Sequence, residues 1–262
     1  MQRGLINFFT SIGEKLKSKI KHTDNNPLNY IPNFVGTALD EFQLADEVEI
    51  KRIVNDMRNV GGGHDQINTR VFKSTFTAIL PQIVHFMNLC LGQSVFPTSL
   101  KRAVIKPIYK AGDKQLFNNY RPISLLPVIS KLLEKLIYIR LNGHLTFNDI
   151  MCNNQFGFRS GMNTYMPLLI LQDKITSAFE NNSIMCGIYL DLRKAFDTVN
   201  LDILMGKLQR YGIRHNAYNM LKSYLTERTQ CVQVEDARST LYPIQIGVPQ
   251  GSILVRSCLY CI

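Results

Sequence analysis

Asp191 closes an apolar run, Ile184-Met185-Cys186-Gly187-Ile188-Tyr189-Leu190, and Asp197 follows six residues later. A carboxylate at the C-terminal end of a strand can face a cleft and hold Mg²⁺ together with phosphate oxygens. It serves as readily as a turn residue. Asp197 falls in the turn or first helical residues beyond, where a carboxylate also caps exposed N–H groups. A second feature is Gly247-Val248-Pro249-Gln250-Gly251-Ser252. Two glycines around a rigid proline let backbone approach a flat ligand, and Ser252 is placed to cap a following helix; a plain tight turn reads the same way. The third feature is cationic. Residues 97–140 hold nine basic residues (101, 102, 106, 110, 114, 121, 131, 135 and 140) against two acids, Asp113 and Glu134, a local net of +7. Such a strip projects cations over a phosphate-bearing ligand or forms a solvated surface hairpin.

The whole chain has 262 residues and a net charge of +10, with 45% hydrophobic and 19% charged residues. It can bury a core and is not of the disordered class. The basic excess points to a polyanionic partner, above all nucleic acid. No uninterrupted apolar run reaches the roughly 18 residues that span a bilayer. The N-terminal residues lack the long apolar segment of a signal peptide. Lys15, Lys17, Lys19 and Lys21 read as a solvated helix face. Six scattered cysteines do not form a disulfide framework, and Cys258-x-x-Cys261 has no histidine nearby to complete a zinc site. Reduced thiols imply an intracellular compartment.

The elements that must position these residues follow from periodicity. Residues 41–58 and 68–92 carry apolar residues at helical spacing, separated by Gly61-Gly62-Gly63. Ala103–Tyr109 reads as a strand, residues 111–114 as a turn, and Ser130 as the cap of a helix carrying Leu132, Leu133, Leu136, Ile137 and Leu141. A helix is expected near 164–180, a strand over 184–192, and helices over 201–211 and 215–226. Residues 230–234 and 241–246 should pair around a turn. Residues 1–40 read as a linker with a partial helix. Helices and strands joined by short connections give an α+β or α/β class.

Taken in order, four stretches resemble the reverse transcriptases of non-LTR (LINE-type) retrotransposons. They are Asn119-Tyr120-Arg121-Pro122-Ile123-Ser124-Leu125-Leu126, Gln155-Phe156-Gly157-Phe158-Arg159, Leu190-Asp191-Leu192-Arg193-Lys194-Ala195-Phe196-Asp197, and Gly247-Val248-Pro249-Gln250-Gly251-Ser252-Ile253-Leu254. Weaker similarity, including Gly62-Gly63-His64-Asp65-Gln66-Ile67, extends the resemblance to about four fifths of the chain. The resemblance implies an α+β right-hand polymerase. Residues 1–45 would be a variable linker, 46–160 an N-terminal extension and fingers, 161–254 a partial palm, and 255–262 an unrelated tail, with the thumb absent. It implies that Asp191 is catalytic and binds Mg²⁺. Lys110 and Arg121 would hold the triphosphate. Phe196 would lie under the sugar and exclude a 2′-hydroxyl. Gln250 and Gly251 would face the nucleotide and template base, and Arg159 the template backbone. The implied partners are an RNA template, a DNA primer and dNTPs, with no membrane and action in nucleus and cytoplasm.

The chain departs from that family after Leu254. The family's aromatic-Ala-Asp-Asp hairpin has no counterpart, and the sequence contains no Asp-Asp pair. One carboxylate cannot hold two Mg²⁺ ions about 3.5–4 Å apart. The expectation is a domain cut short by frameshift, splicing or decay, inactive by itself. The alternative is a non-catalytic nucleic-acid-binding remnant.

Overall fold

The computed structural model describes residues 2–18, 25–192 and 194–255. Arg193, Lys19, Lys21 and the Cys258-x-x-Cys261 pair lie outside them. The chain is a mixed α/β structure around one mixed sheet and a larger helical core.

β1 (Arg102–Tyr109) and β2 (Tyr120–Leu125) form an antiparallel hairpin, with Val104 opposite Leu125 and Tyr109 opposite Tyr120. β3 (Thr229–Val234) lies parallel on the other side of β1, with Arg102 opposite Thr229. β4 (Ala237–Arg238) and β5 (Tyr242–Pro243) each pair antiparallel with β3. The expected pairing of 230–234 with the segment after the turn is therefore present, divided between two short strands.

The helices follow the apolar periodicity. α2 (Glu47–Asp56) starts where the Asp46 side chain accepts from Glu49 N at 2.7 Å, and buries Ile50, Ile53 and Val54. The expected helix over 68–92 is broken into α3 (Thr69–Thr75), a 3₁₀ turn and α4 (Leu80–Gln93). Pro81 explains the break, because its missing N–H and its ring are accommodated only in a helix's first turn. Together Thr69–Gln93 are long and apolar enough, by length and composition, to cross a membrane. Here Phe72, Phe76, Leu80, Ile83 and Met87 of this stretch pack into the core.

α5 (Val128–Phe147) is the central helix, with Leu132, Leu133, Leu136, Ile137 and Leu141 fully buried. It begins two residues before Ser130, so Ser130 is not its cap. The Ser130 hydroxyl donates instead to Leu100 O at 3.0 Å. α6 (Tyr165–Glu180), α7 (Leu201–Arg210) and α8 (His215–Leu225) match the expected helices. Asn200 caps α7 through Asp202 N and Ile203 N.

α1 (Gln2–Lys17) packs Leu5 and Phe9 on Ala103, Ile105, Leu126 and Val232, building a second, smaller core on one sheet face.

The strand expected over 184–192 does not form. Those residues carry no strand pairing; Ile184 is 99% exposed and Leu190 is 90% exposed. β-propensity is realised through cross-strand packing, and the described residues place no strand beside this run.

Candidate nucleotide and nucleic-acid site

The 247–251 loop is held on three sides. Gly247 N donates to Val199 O at 2.9 Å, Val248 N to Phe196 O at 2.8 Å, and β2 contributes Ser124 N to Gln250 O at 2.8 Å. Gly247 sits at φ +83°, and a Cβ there would stand 2.8 Å from Phe196 O and 2.9 Å from Asp197 Cα. Gly251, at φ +109°, brings the backbone close to Ser124 O. Both glycines are thus required by conformation, and Gly247 by close approach as well. The loop joins Gln250 and Gly251 to Phe196 and to the strand that carries Arg121.

The Ser252 hydroxyl accepts from Val255 N at 3.4 Å; the helix it is expected to cap lies outside the described residues. The hydroxyl also donates to Glu134 Oε2 at 2.7 Å, and Ile253 N donates to the same oxygen at 2.8 Å. Tyr224 of α8 stands 2.6 Å from the Ser252 hydroxyl and packs its ring on Phe96, and Arg228 lies over that ring. Glu134 and Arg228 are both buried. Burial pushes the Glu134 carboxyl up, while the Arg228 charge and the bonds from Ser252 and Ile253 oppose it. Sequence reasoning assigned no role to Glu134. Its signal was a charge on the apolar stripe of α5, between Leu133 and Leu136.

Asp197 ends the 3₁₀ turn Ala195–Asp197 and lines a cavity of about 80 Å³ with Ser124, Gly247, Gln250, Phe9 and Ile12. Burial raises its carboxyl pKa and Lys194 lowers it. Lys194, at φ +55°, reaches the hairpin tip, donating to Asn118 Oδ1 at 3.0 Å.

The basic strip divides. Lys101 is buried, 3.9 Å from Glu227, and burial lowers its pKa. Arg140 is fixed by both carboxylate oxygens of Glu49 at 3.1 and 2.9 Å. Arg102, Lys106, Lys110, Lys114 and Arg121 stay exposed on the β1–β2 hairpin. Lys110 and Arg121 therefore lie on one hairpin. Arg159 is partly buried and donates to Cys152 O at 3.2 Å.

Asp191 is not brought to the loop by a strand; it sits exposed in the unpaired 184–192 run. Among the described residues no group of three or more His, Cys, Asp or Glu side chains converges. The residues present do not fit a two-Mg²⁺ centre, because such a centre needs several carboxylate oxygens aimed at one point.

The family model described as reverse transcriptase (RNA-dependent DNA polymerase) matches residues 108–258. The chain is similar to the probable RNA-directed DNA polymerase from transposon X-element of Drosophila melanogaster, at 34% identity over 84% of the chain and 24% of that protein. It is similar to the RNA-directed DNA polymerase from mobile element jockey of the same species, at 32% identity over 87% of the chain and 26% of that protein. It also resembles the retrovirus-related Pol polyprotein from type-1 retrotransposable element R2 of Popillia japonica, at 27% identity over 79% of the chain and 28% of that protein. The chain thus spans about a quarter of the length of these curated relatives. The matched span contains β2, the Asp191 segment and the 247–251 loop together, and with the similarity to these relatives the chain belongs to the reverse transcriptases of non-LTR (LINE-type) retrotransposons.

Proposed function

We propose that this chain comprises an N-terminal extension and the fingers (46–160) and a partial palm (161–254) of an RNA-directed DNA polymerase, and that it engages an RNA template, a DNA primer and dNTPs. The observation that carries this is the stapling of the 247–251 loop to Phe196 and β2, which gathers Gln250, Gly251, Phe196 and the Arg121 strand around one corner. In this reading Lys110 and Arg121 pair with the triphosphate as point and forked cations. The Phe196 ring closes the space a ribose 2′-hydroxyl would need. Gln250 offers its amide to the nucleotide and template base, and Arg159 neutralises a template phosphate. Asp191 is the family's metal-binding position.

Asp191 standing alone favours a second reading for the isolated chain: binding without synthesis. Primer extension on an RNA template with Mg²⁺ tests it. The chain should bind single-stranded RNA, with log Kd changing by about 0.7 per phosphate contact per log unit of salt, and so by at least about 0.7 for the Arg159 contact. It should incorporate no nucleotide. Templated incorporation would overturn the binding-only reading. Salt-independent or absent binding would overturn the polymerase-domain reading.

A further inference from the structure

α1 has no role in the site just described, yet it forms part of its wall. Leu5 and Phe9 are each 3% exposed and Ile12 is 9% exposed, with spacings of four and three residues that put them on one face. Leu5 and Phe9 rest on Ala103, Ile105 and Val232 of the sheet. Phe8 continues the contact beyond the sheet, 5.8 Å from the Phe117 ring, with Lys194 Nζ 4.7 Å from its own centroid. Phe9 and Ile12 then face Gln250, Gly247 and Asp197 across the cavity of about 80 Å³. A site for a nucleotide-sized ligand needs about 300 Å³ or more. The space beside Gln250 is closed to such a ligand while α1 is seated.

Gln230 Nε2 donates to Phe9 O at 3.5 Å. The described buried face of α1 is short, from Leu5 to Ile12, so this unit opens before the α5 core does.

The geometry points to α1 as an intramolecular cover of the Gln250 side of the site, seated beside the 247–251 loop on the sheet face opposite Arg121 and displaced when a template–primer hybrid binds. The proposal rests on the polymerase reading above and adds a regulatory step to it. The open fraction of α1 sets the apparent affinity, because binding to a partly populated open state is weakened by that fraction.

The test uses the full chain and its Phe9→Asp variant, each titrated with a fluorescein-labelled RNA–DNA hybrid carrying a recessed 3′ end. Phe9→Asp should bind about tenfold more tightly than the wild type, the signature of a closed population removed. In the wild type, amide hydrogen exchange in residues 3–17 should accelerate by about tenfold on saturation with hybrid while α5 amides stay protected. Equal affinities with unchanged α1 exchange at saturation would overturn the cover and leave the polymerase reading standing. Binding by neither protein would overturn both. If Phe9→Asp does not fold, Ile12→Ala takes its place in the titration beside the wild-type exchange experiment.

Discussion

Glu134→Ala should destabilise the fold by about 3–5 kcal/mol, the range for leaving a buried charge uncompensated. The structure sets the magnitude as follows. The substitution removes the acceptor of two bonds, from the Ser252 hydroxyl at 2.7 Å and Ile253 N at 2.8 Å. Bonds to a charged group contribute about 1.5–3 kcal/mol each. It also leaves Arg228, 1% exposed, without its opposing charge. These losses overlap, so the range for one uncompensated buried charge is used, not their sum. For a chain of this size that is a fall in Tm of roughly 6–20 °C. Urea unfolding followed by circular dichroism at pH 7 measures it, and a loss under about 1 kcal/mol would refute the reasoning.

A pH series sharpens the test. Burial raises the folded-state pKa of Glu134, so its stabilising contribution is present at low pH and is lost as pH rises through the raised value. Oε1 has no protein partner, so it can take the proton without breaking the bonds at Oε2. Glu134→Gln keeps an acceptor for Ser252 and Ile253 and cannot titrate. The wild type should therefore lose stability relative to Glu134→Gln as pH rises above the ordinary Glu range, about 4.3. Parallel pH curves would show that the carboxyl titrates as an ordinary Glu.

Gly247→Ala should cost about 1–3 kcal/mol, because alanine is strained at φ +83° and its Cβ would press on Phe196 O and Asp197 Cα; an unchanged melting curve would remove the close-approach argument. Asp197→Asn should be more stable than the wild type at pH 7–8, with the advantage fading toward pH 4, since burial raises the Asp197 pKa and the native carboxyl loses its contribution as pH rises; pH-resolved urea melts measure the sign. Thiol labelling with mass mapping should modify exposed Cys152 and Cys186 quickly. Cys231, and Cys90 with its thiol pushed up to about 11 by burial, should react only after unfolding.

Much of this molecule is local, and what is local was readable. α2, α6, α7 and α8 follow from apolar spacing, which depends only on neighbours three or four residues away. β1 and the turn after it are equally local. The four ordered stretches carried the family, because chemistry repeated at fixed spacing is a property of the chain. Burial and pairing are not. Lys101 and Arg140 look like members of one basic strip, yet Glu227 and Glu49, each about a hundred residues away in sequence, draw them into structural pairs. Glu134 is one more helical residue until the 252–253 turn, 118 residues later, donates two bonds to it. The 184–192 run has the composition of a buried strand, but a strand exists only beside another strand, and the described residues supply none. α1 is legible as an amphipathic helix from Leu5, Phe9 and Ile12; that its apolar face closes the wall beside Gln250 is decided only by which sheet face it meets.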